Sequence, residues 1–157
     1  MAIQRLCASL VLLFVLVDSD CPSNWKHIGN YCFFFSKDTE TWINARLMCN
    51  NYQSHLGEIT SEDQNKFVTK FVADLNHDFW IGAADVLKEG EWVWYNSHQI
   101  IDNSTYSNWA ANGLDDANGN ENCAQIGPTG EWHDAQCDQS HYYICRRSTD
   151  HNGEVFG

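Results

Sequence analysis

Basic residues are scarce in this sequence: 9 Lys and Arg stand against 21 Asp and Glu, for a formal net charge of -12. That balance argues against nucleic-acid binding, because phosphate needs a cationic footprint. Anionic membrane surfaces are disfavoured for the same reason. No apolar run reaches the roughly 20 residues that a membrane span needs. The sequence has no C-x-x-C pair, so a zinc site of free thiols is disfavoured. It has no internal repeat, low-complexity tract, coiled coil or collagen-like segment, so any avidity must come from a face-to-face homodimer. Nor is there a nucleophile motif. Adjacent pairs such as His133-Asp134 and His77-Asp78 point to opposite faces in a strand, so the chain does not read as an enzyme. What an acidic surface attracts is cations.

A length of 157 residues suggests one domain with a short appendage. Hydrophobic residues make up 43% and charged residues 19%, a globular composition, and the 7 Trp can build a dense core in a modest chain. The first residues differ from the rest. Arg5 is followed by an apolar run from Leu10 to Val17, then by Asp18 and Ser19. This reads as a secretory signal peptide over residues 1–19, cut after Ser19, and predicts an extracellular protein. Cleavage removes Cys7 and leaves Cys21, Cys32, Cys49, Cys123, Cys137 and Cys145. An even count in an exported chain predicts disulfides, whose pairing the count leaves open.

The aromatic stretch Asn30 to Phe35 reads as a strand. Trp42, Ala45, Cys49 and Tyr52 recur at helical spacing within Thr39 to Tyr52, with Asp38 or Thr39 as the expected cap. A second helix starts near Thr60 or Ser61, where Ser61-x-x-Gln64 resembles a capping box, and it offers Phe67, Val68, Phe71, Val72 and Leu75 to the core. Phe79 to Ala83, Glu91 to Tyr95, Cys123 to Ile126 and His141 to Cys145 read as short strands, and Arg146 to Gly157 as a polar tail. From about Asn103 to Asn122 runs a long Asn/Gly/Asp-rich loop; a loop of that length in a compact domain is usually functional or disordered. Trp109 and the nearby Cys123 argue that it is tied down, and Trp109 and Trp132 are expected to pack in the core.

The carboxylates are unevenly spread. Asp85 and Glu89 bracket a turn closed by Gly90; Asp115, Asp116 and Glu121 share the long loop with Asn118, Asn120 and Asn122; Asp134 follows Trp132-His133. Hard oxygen ligands in polar loops suit calcium, which takes six to eight oxygens in flexible geometry. Without a counter-ion such a group would repel itself.

Several segments are familiar in order and spacing. Trp80-Ile81-Gly82-Ala83, Tyr106-Ser107-Asn108-Trp109, Asn120-Glu121-Asn122-Cys123, Gly130-Glu131-Trp132-His133-Asp134 and Tyr143-Ile144-Cys145 resemble the motifs of C-type lectin-like domains. The resemblance covers Cys21 to Arg147 and is closest in kind to small secreted single-domain lectins of invertebrates. It implies an α+β fold, with two helices flanking small antiparallel sheets and a long calcium-binding loop. The domain layout is then a signal peptide at 1–19, the lectin domain at 20–147 and a polar tail at 148–157. The resemblance also implies the pairs Cys21–Cys32, Cys49–Cys145 and Cys123–Cys137. By loop closure the two short bridges would contribute roughly 3 kcal/mol each and the wide one roughly 4 to 5.

For function the resemblance implies calcium-dependent carbohydrate binding, with pathogen-glycan recognition in innate immunity as the setting. An auxiliary calcium site maps onto Asp85, Glu89, Asp116, Glu121 and Asn122, and the principal, sugar-binding site onto Gly113, Asp115, Glu121, His133 and Asp134. The second mapping departs from the family. Mannose-type members carry Glu-Pro-Asn and galactose-type members Gln-Pro-Asp, whereas this chain has Gly113-Leu114-Asp115. The first ligand side chain is missing, and so is the proline whose cis peptide shapes the loop; a cis bond before Leu114 would cost roughly 3 kcal/mol. His133 replaces the usual Asn, and imidazole suits a hard cation poorly. Asp115 leans toward galactose or N-acetylgalactosamine. The altered tripeptide keeps an alternative open: a lectin-like domain that binds no sugar and contacts protein, ice or mineral surfaces. Asn103-Ser104-Thr105 is an N-glycosylation sequon.

Overall fold

The computed structural model describes residues 21–116 and 119–149. The expected signal peptide, Cys7, Asn118 and the end of the tail lie outside these residues. Elements follow in the order β1 (Lys26–Ile28), β2 (Tyr31–Phe35), α1 (Trp42–Asn51), β3 (His55–Leu56), α2 (Glu62–Leu75), β4 (Phe79–Ala84), β5 (Val93–Trp94), β6 (Cys123–Ile126), β7 (Trp132–Ala135) and β8 (Tyr142–Ser148).

Both helices form where apolar spacing places them, and their ends are set by caps. The first starts later than expected: Thr41, not Asp38 or Thr39, is the N-cap, its Oγ1 accepting from the Asn44 amide at 3.3 Å. In α2 the Ser61 hydroxyl accepts from the Gln64 amide at 3.3 Å. The Gln64 side chain reaches back one residue further than a capping box requires, to the Thr60 amide at 2.9 Å. Asn76 ends the helix in the left-handed conformation, which Asn tolerates better than most residues.

The strands order as β1-β2-β8-β4-β6-β7, with β3 on β8 and β5 on β4. The antiparallel ladders are thus one connected sheet rather than separate ones. The join is a short parallel contact, Phe79 beside Tyr142 and Trp80 beside Tyr143. Arg146 to Ser148, expected in a tail, continue β8: Arg147 pairs with Cys32 and Ser148 with Tyr31. Arg146 lies among buried groups, its guanidinium 2.7 Å from the Glu58 carbonyl and 2.8 Å from the Glu58 carboxylate.

Two apolar clusters fill the space on either side of this sheet. One joins Val68 and Val72 of α2 to Phe79, Ile81, Trp94 and Trp132; the other joins Trp42, Ala45 and Cys49 of α1 to Trp80, Tyr143 and Cys145. Tryptophan nitrogens find partners, as buried indoles must: Trp42 Nε1 donates to the Ile81 carbonyl and Trp80 Nε1 to the Glu40 carbonyl, each at 2.9 Å. Gly82 is required by close approach, since a Cβ there would stand 2.7 Å from the Leu56 carbonyl oxygen. Cys21–Cys32, Cys49–Cys145 and Cys123–Cys137 are bonded, and the second ties α1 to β8 across 96 residues of sequence.

Candidate functional site

The long loop is laid along β7. The Trp132 amide donates to the Asn108 carbonyl at 2.9 Å, and the Ala110 amide to the Trp132 carbonyl at 3.0 Å. Trp132 is fully buried, its indole donating to the Asn65 side chain at 2.9 Å. Trp109 packs edge-on against Trp92 and Trp132, at centroid distances of 4.7 and 5.5 Å. Both tryptophans therefore serve packing, as expected, and leave the loop's polar groups to face outward.

At the loop's end three carboxylates converge. Oxygens of Asp115, Glu121 and Asp134 lie within 4.8 Å of one another. Pairing of β6 with β7 sets Asp134 beside Ala124, three residues beyond Glu121. Two hydrogen bonds hold the third side of the cluster: the Asp134 amide donates to the Gly113 carbonyl at 2.9 Å, and the Asp116 amide to Asp134 Oδ2 at 2.8 Å. Ionised together, three such groups repel, and a divalent cation offsets that repulsion. The donor set is all oxygen and anionic, which fits calcium.

Gly113 is tightly enclosed. A Cβ there would stand 2.4 Å from the Trp132 carbonyl oxygen and 2.8 Å from the Ala110 amide nitrogen, both backbone atoms. The missing ligand side chain therefore has no room in this loop, and no cis peptide occurs in the described residues. His133 is half-buried on β7, and its ring nitrogens do not join the carboxylate cluster. Side chains alternate across a strand, so His133 leaves β7 on the side opposite Asp134.

The second acidic set is looser. The Asp85 amide donates to the Asn122 carbonyl at 3.2 Å, and Asp85 Oδ2 accepts from the Gly90 amide at 2.9 Å. Asp116 Oδ1 accepts from the Glu121 amide at 3.2 Å, linking the two sets. With its nitrogen turned inward, the Asn122 amide donates to Asp85 Oδ1 at 3.2 Å and Glu89 Oε2 at 3.3 Å. With its oxygen inward, three oxygens crowd one point, an arrangement that suits a cation. The neighbouring Asp85 carboxylate, with lesser contributions from partial desolvation and Asp116, pushes the Glu89 carboxyl above its ordinary value. Asp85, Glu89, Asp116 and Asn122 thus meet, while the Glu121 side chain belongs to the first cluster.

Comparison with known proteins follows the same outline. The family described as "Lectin C-type domain" matches residues 38–147. The asialoglycoprotein receptor 2 of Rattus norvegicus is 34% identical over 135 residues, 83% of this chain and 43% of that protein. A perlucin-like protein of Mytilus galloprovincialis is 32% identical over 132 residues, 80% of this chain and 82% of that one. Among solved structures, the mouse scavenger receptor C-type lectin carbohydrate-recognition domain superposes with a TM-score of 0.74 at 34% identity, covering 82% of this chain and 96% of that domain. A calcium-independent type II antifreeze protein superposes at 0.72 with 27% identity, over 82% and 95%. The chain spans less than half the length of the mammalian receptors it matches, 34 to 43%.

Proposed function

The chain belongs to the C-type lectin domain family, and from that premise we propose that it is a secreted lectin binding carbohydrate through calcium held on its long loop. Members of this family are generally carbohydrate-binding proteins without enzymatic activity. The convergence of Asp115, Glu121 and Asp134 within 4.8 Å carries the reading. Calcium bound there would supply coordination positions that two neighbouring sugar hydroxyls can take. The chain's own carboxylates hold the ion and accept hydrogen bonds from those hydroxyls. The Gly113–Asp134 and Asp134–Asp116 hydrogen bonds fix Asp134 before a ligand arrives, so little ordering remains to oppose binding. His133, outside the cluster and across β7 from Asp134, is assigned to a sugar contact that does not pass through the ion. Asp85, Glu89, Asp116 and Asn122 are assigned to an auxiliary structural ion, with the Glu121 backbone bonded to Asp116.

Asp115 supports a lean toward galactose or N-acetylgalactosamine, and the rat relative named as an asialoglycoprotein receptor agrees with a glycan ligand. The leader-like residues 1–19 and the sequon at Asn103, exposed in a turn, support an exported chain. No described helix is long and apolar enough to cross a membrane. Pathogen-glycan recognition, with avidity from a homodimer, is the role assigned to it.

A glycan array probed with and without calcium tests the reading, with Asp134→Ala as the variant. The expected result is calcium-dependent signal on the wild type and none on Asp134→Ala, while the disulfide-bonded fold survives. Retained binding by Asp134→Ala would place the sugar elsewhere. The enclosed Gly113 favours a second reading, a lectin-like domain that binds no sugar and contacts protein, ice or mineral surfaces. The antifreeze neighbour is compatible with it. An array blank under both conditions selects it.

A further inference from the structure

On the α1 side of the molecule, away from the acidic loop, a cavity of about 200 Å³ opens between α1, β3 and the turn after β5. Arg46, Asn50, His55, Tyr95, Asn96 and His98 supply its polar lining, and no Asp or Glu contributes to it. In a chain of net charge -12 that is an inverted local balance. We infer that this cavity binds a compact oxyanion, the sulfate or phosphate group of an ester or the free ion.

Arg46 is held in place without spending its hydrogen bonds. Its guanidinium lies over the Tyr95 ring, 4.7 Å from the centroid, and its buried Nε meets no acceptor among the described residues. Nε is closed off by the packing, so the rest of the guanidinium is what an entering ligand can meet, and an oxyanion is the acceptor that group fits best. The Asn50 and Asn96 amides and the His98 imidazole add donors of the same sense. Burial, opposed by Glu58 and reinforced by Arg146, holds the His55 imidazole below its ordinary value, so it adds no positive charge to the wall at neutral pH.

The walls are preformed. Glu58 Oε1 accepts from the Ser97 amide at 2.9 Å, fixing the turn that carries Asn96 and His98. That carboxylate's charge is matched by Arg146 at 2.8 Å, so it does not cancel the cavity's cation. His98 sits at a φ of 57°, its amide donating to the Trp94 carbonyl at 2.8 Å. The acidic loop repels anions at long range, but salt screens exposed charges beyond about 8–10 Å.

The test follows the backbone amide signals of Tyr95 and Asn96, which line the cavity and are kept in every variant, by NMR at fixed ionic strength and without calcium. Inorganic phosphate, inorganic sulfate and N-acetylglucosamine 6-sulfate are titrated in turn, with unsulfated N-acetylglucosamine as control. A saturable shift is expected, weakened about tenfold by Arg46→Gln and several-fold by His98→Gly, and unchanged by Lys88→Gln. Glycine keeps the positive φ at 98, so the second variant preserves the turn. Response to the ester alone places the anion on a sugar; response to the inorganic ions as well makes the cavity a free-ion site. No saturable shift, an equal response to the unsulfated sugar, or undiminished binding in both variants overturns the assignment. The calcium reading is untouched by any of these results.

Discussion

The backbone amide of Asp134 donates to the carbonyl of Gly113 at 2.9 Å, so the residue lacking a ligand side chain positions one that has it. Restoring the family's Gln at this position would therefore not restore the family's site. A side chain at 113 must displace the Trp132 carbonyl and the Ala110 amide, neither of which is the flexible end of a side chain. Gly113→Gln is expected to lower stability by about 1–3 kcal/mol, the usual range for overpacking. Calcium affinity should fall as Asp134 moves. Thermal melts and calcium titration of the variant check both; a tighter calcium site in a stable protein would show that the loop can open at this point.

Calcium should stabilise the fold, and Glu89 gives that statement a sign. Its carboxyl is pushed up chiefly by Asp85, which means the two repel when no cation is present. Glu89→Gln is expected to raise the melting temperature slightly in chelator and to reduce the gain on adding calcium. At tenfold excess over the dissociation constant, wild type should gain about 1.4 kcal/mol, a few degrees for a domain of this size. Scanning calorimetry of both proteins, with and without calcium, reads the crossover. Parallel behaviour of the two would remove Glu89 from any ion site.

The two helices and β4 were legible because apolar residues recur at helical spacing, as in Trp42, Ala45 and Cys49, or gather in one short run, as in Phe79–Ala84. β1 and β3 were not, since Lys-His-Ile and His-Leu hold too few residues to show a period. Their pairing with β2 and β8 is decided by tertiary register. The acidic loops stood out by composition alone. Which carboxylates meet was legible only through the family resemblance, because Asp134 reaches Asp115 and Glu121 through the β6–β7 pairing. The Arg46 cavity left no mark in the sequence: Arg46, His55 and His98 come from a helix, a strand and a turn with no shared motif.

Glu58 and Arg146 form the one ion pair of the described residues in which both side chains are largely buried, at 2.8 Å. Arg146→Ala would leave the Glu58 carboxylate inside without its cation, at a cost of about 3–5 kcal/mol. The double variant Glu58→Leu/Arg146→Met should recover much of that, less the loss of the Ser97 hydrogen bond, worth about 1 kcal/mol. Urea unfolding of the three proteins measures the difference. A mild Arg146→Ala effect would mean that water reaches Glu58 readily.

Acidification should weaken the fold through His55 and His141. Burial, the largest influence at both, holds each imidazole below its ordinary value near 6.5. Glu58 opposes the shift at His55, and Asp78 opposes it at His141. His141 also meets the edge of Trp80 at 4.6 Å, a contact made with the ring half-buried. The unfolded chain therefore takes up protons first as pH falls through 6.5, and stability declines between there and the depressed folded values. Above that window the contribution is complete. Glu89 works in the opposite sense at lower pH, because its raised value lets the folded state bind a proton earlier. Comparing wild type with His55→Gln/His141→Gln cancels that background. In calcium-free urea unfolding at about pH 7.5 and about pH 5.5, wild type should lose stability on acidification and the double variant should lose less. Equal losses in the two proteins would mean that neither imidazole is held neutral by the fold.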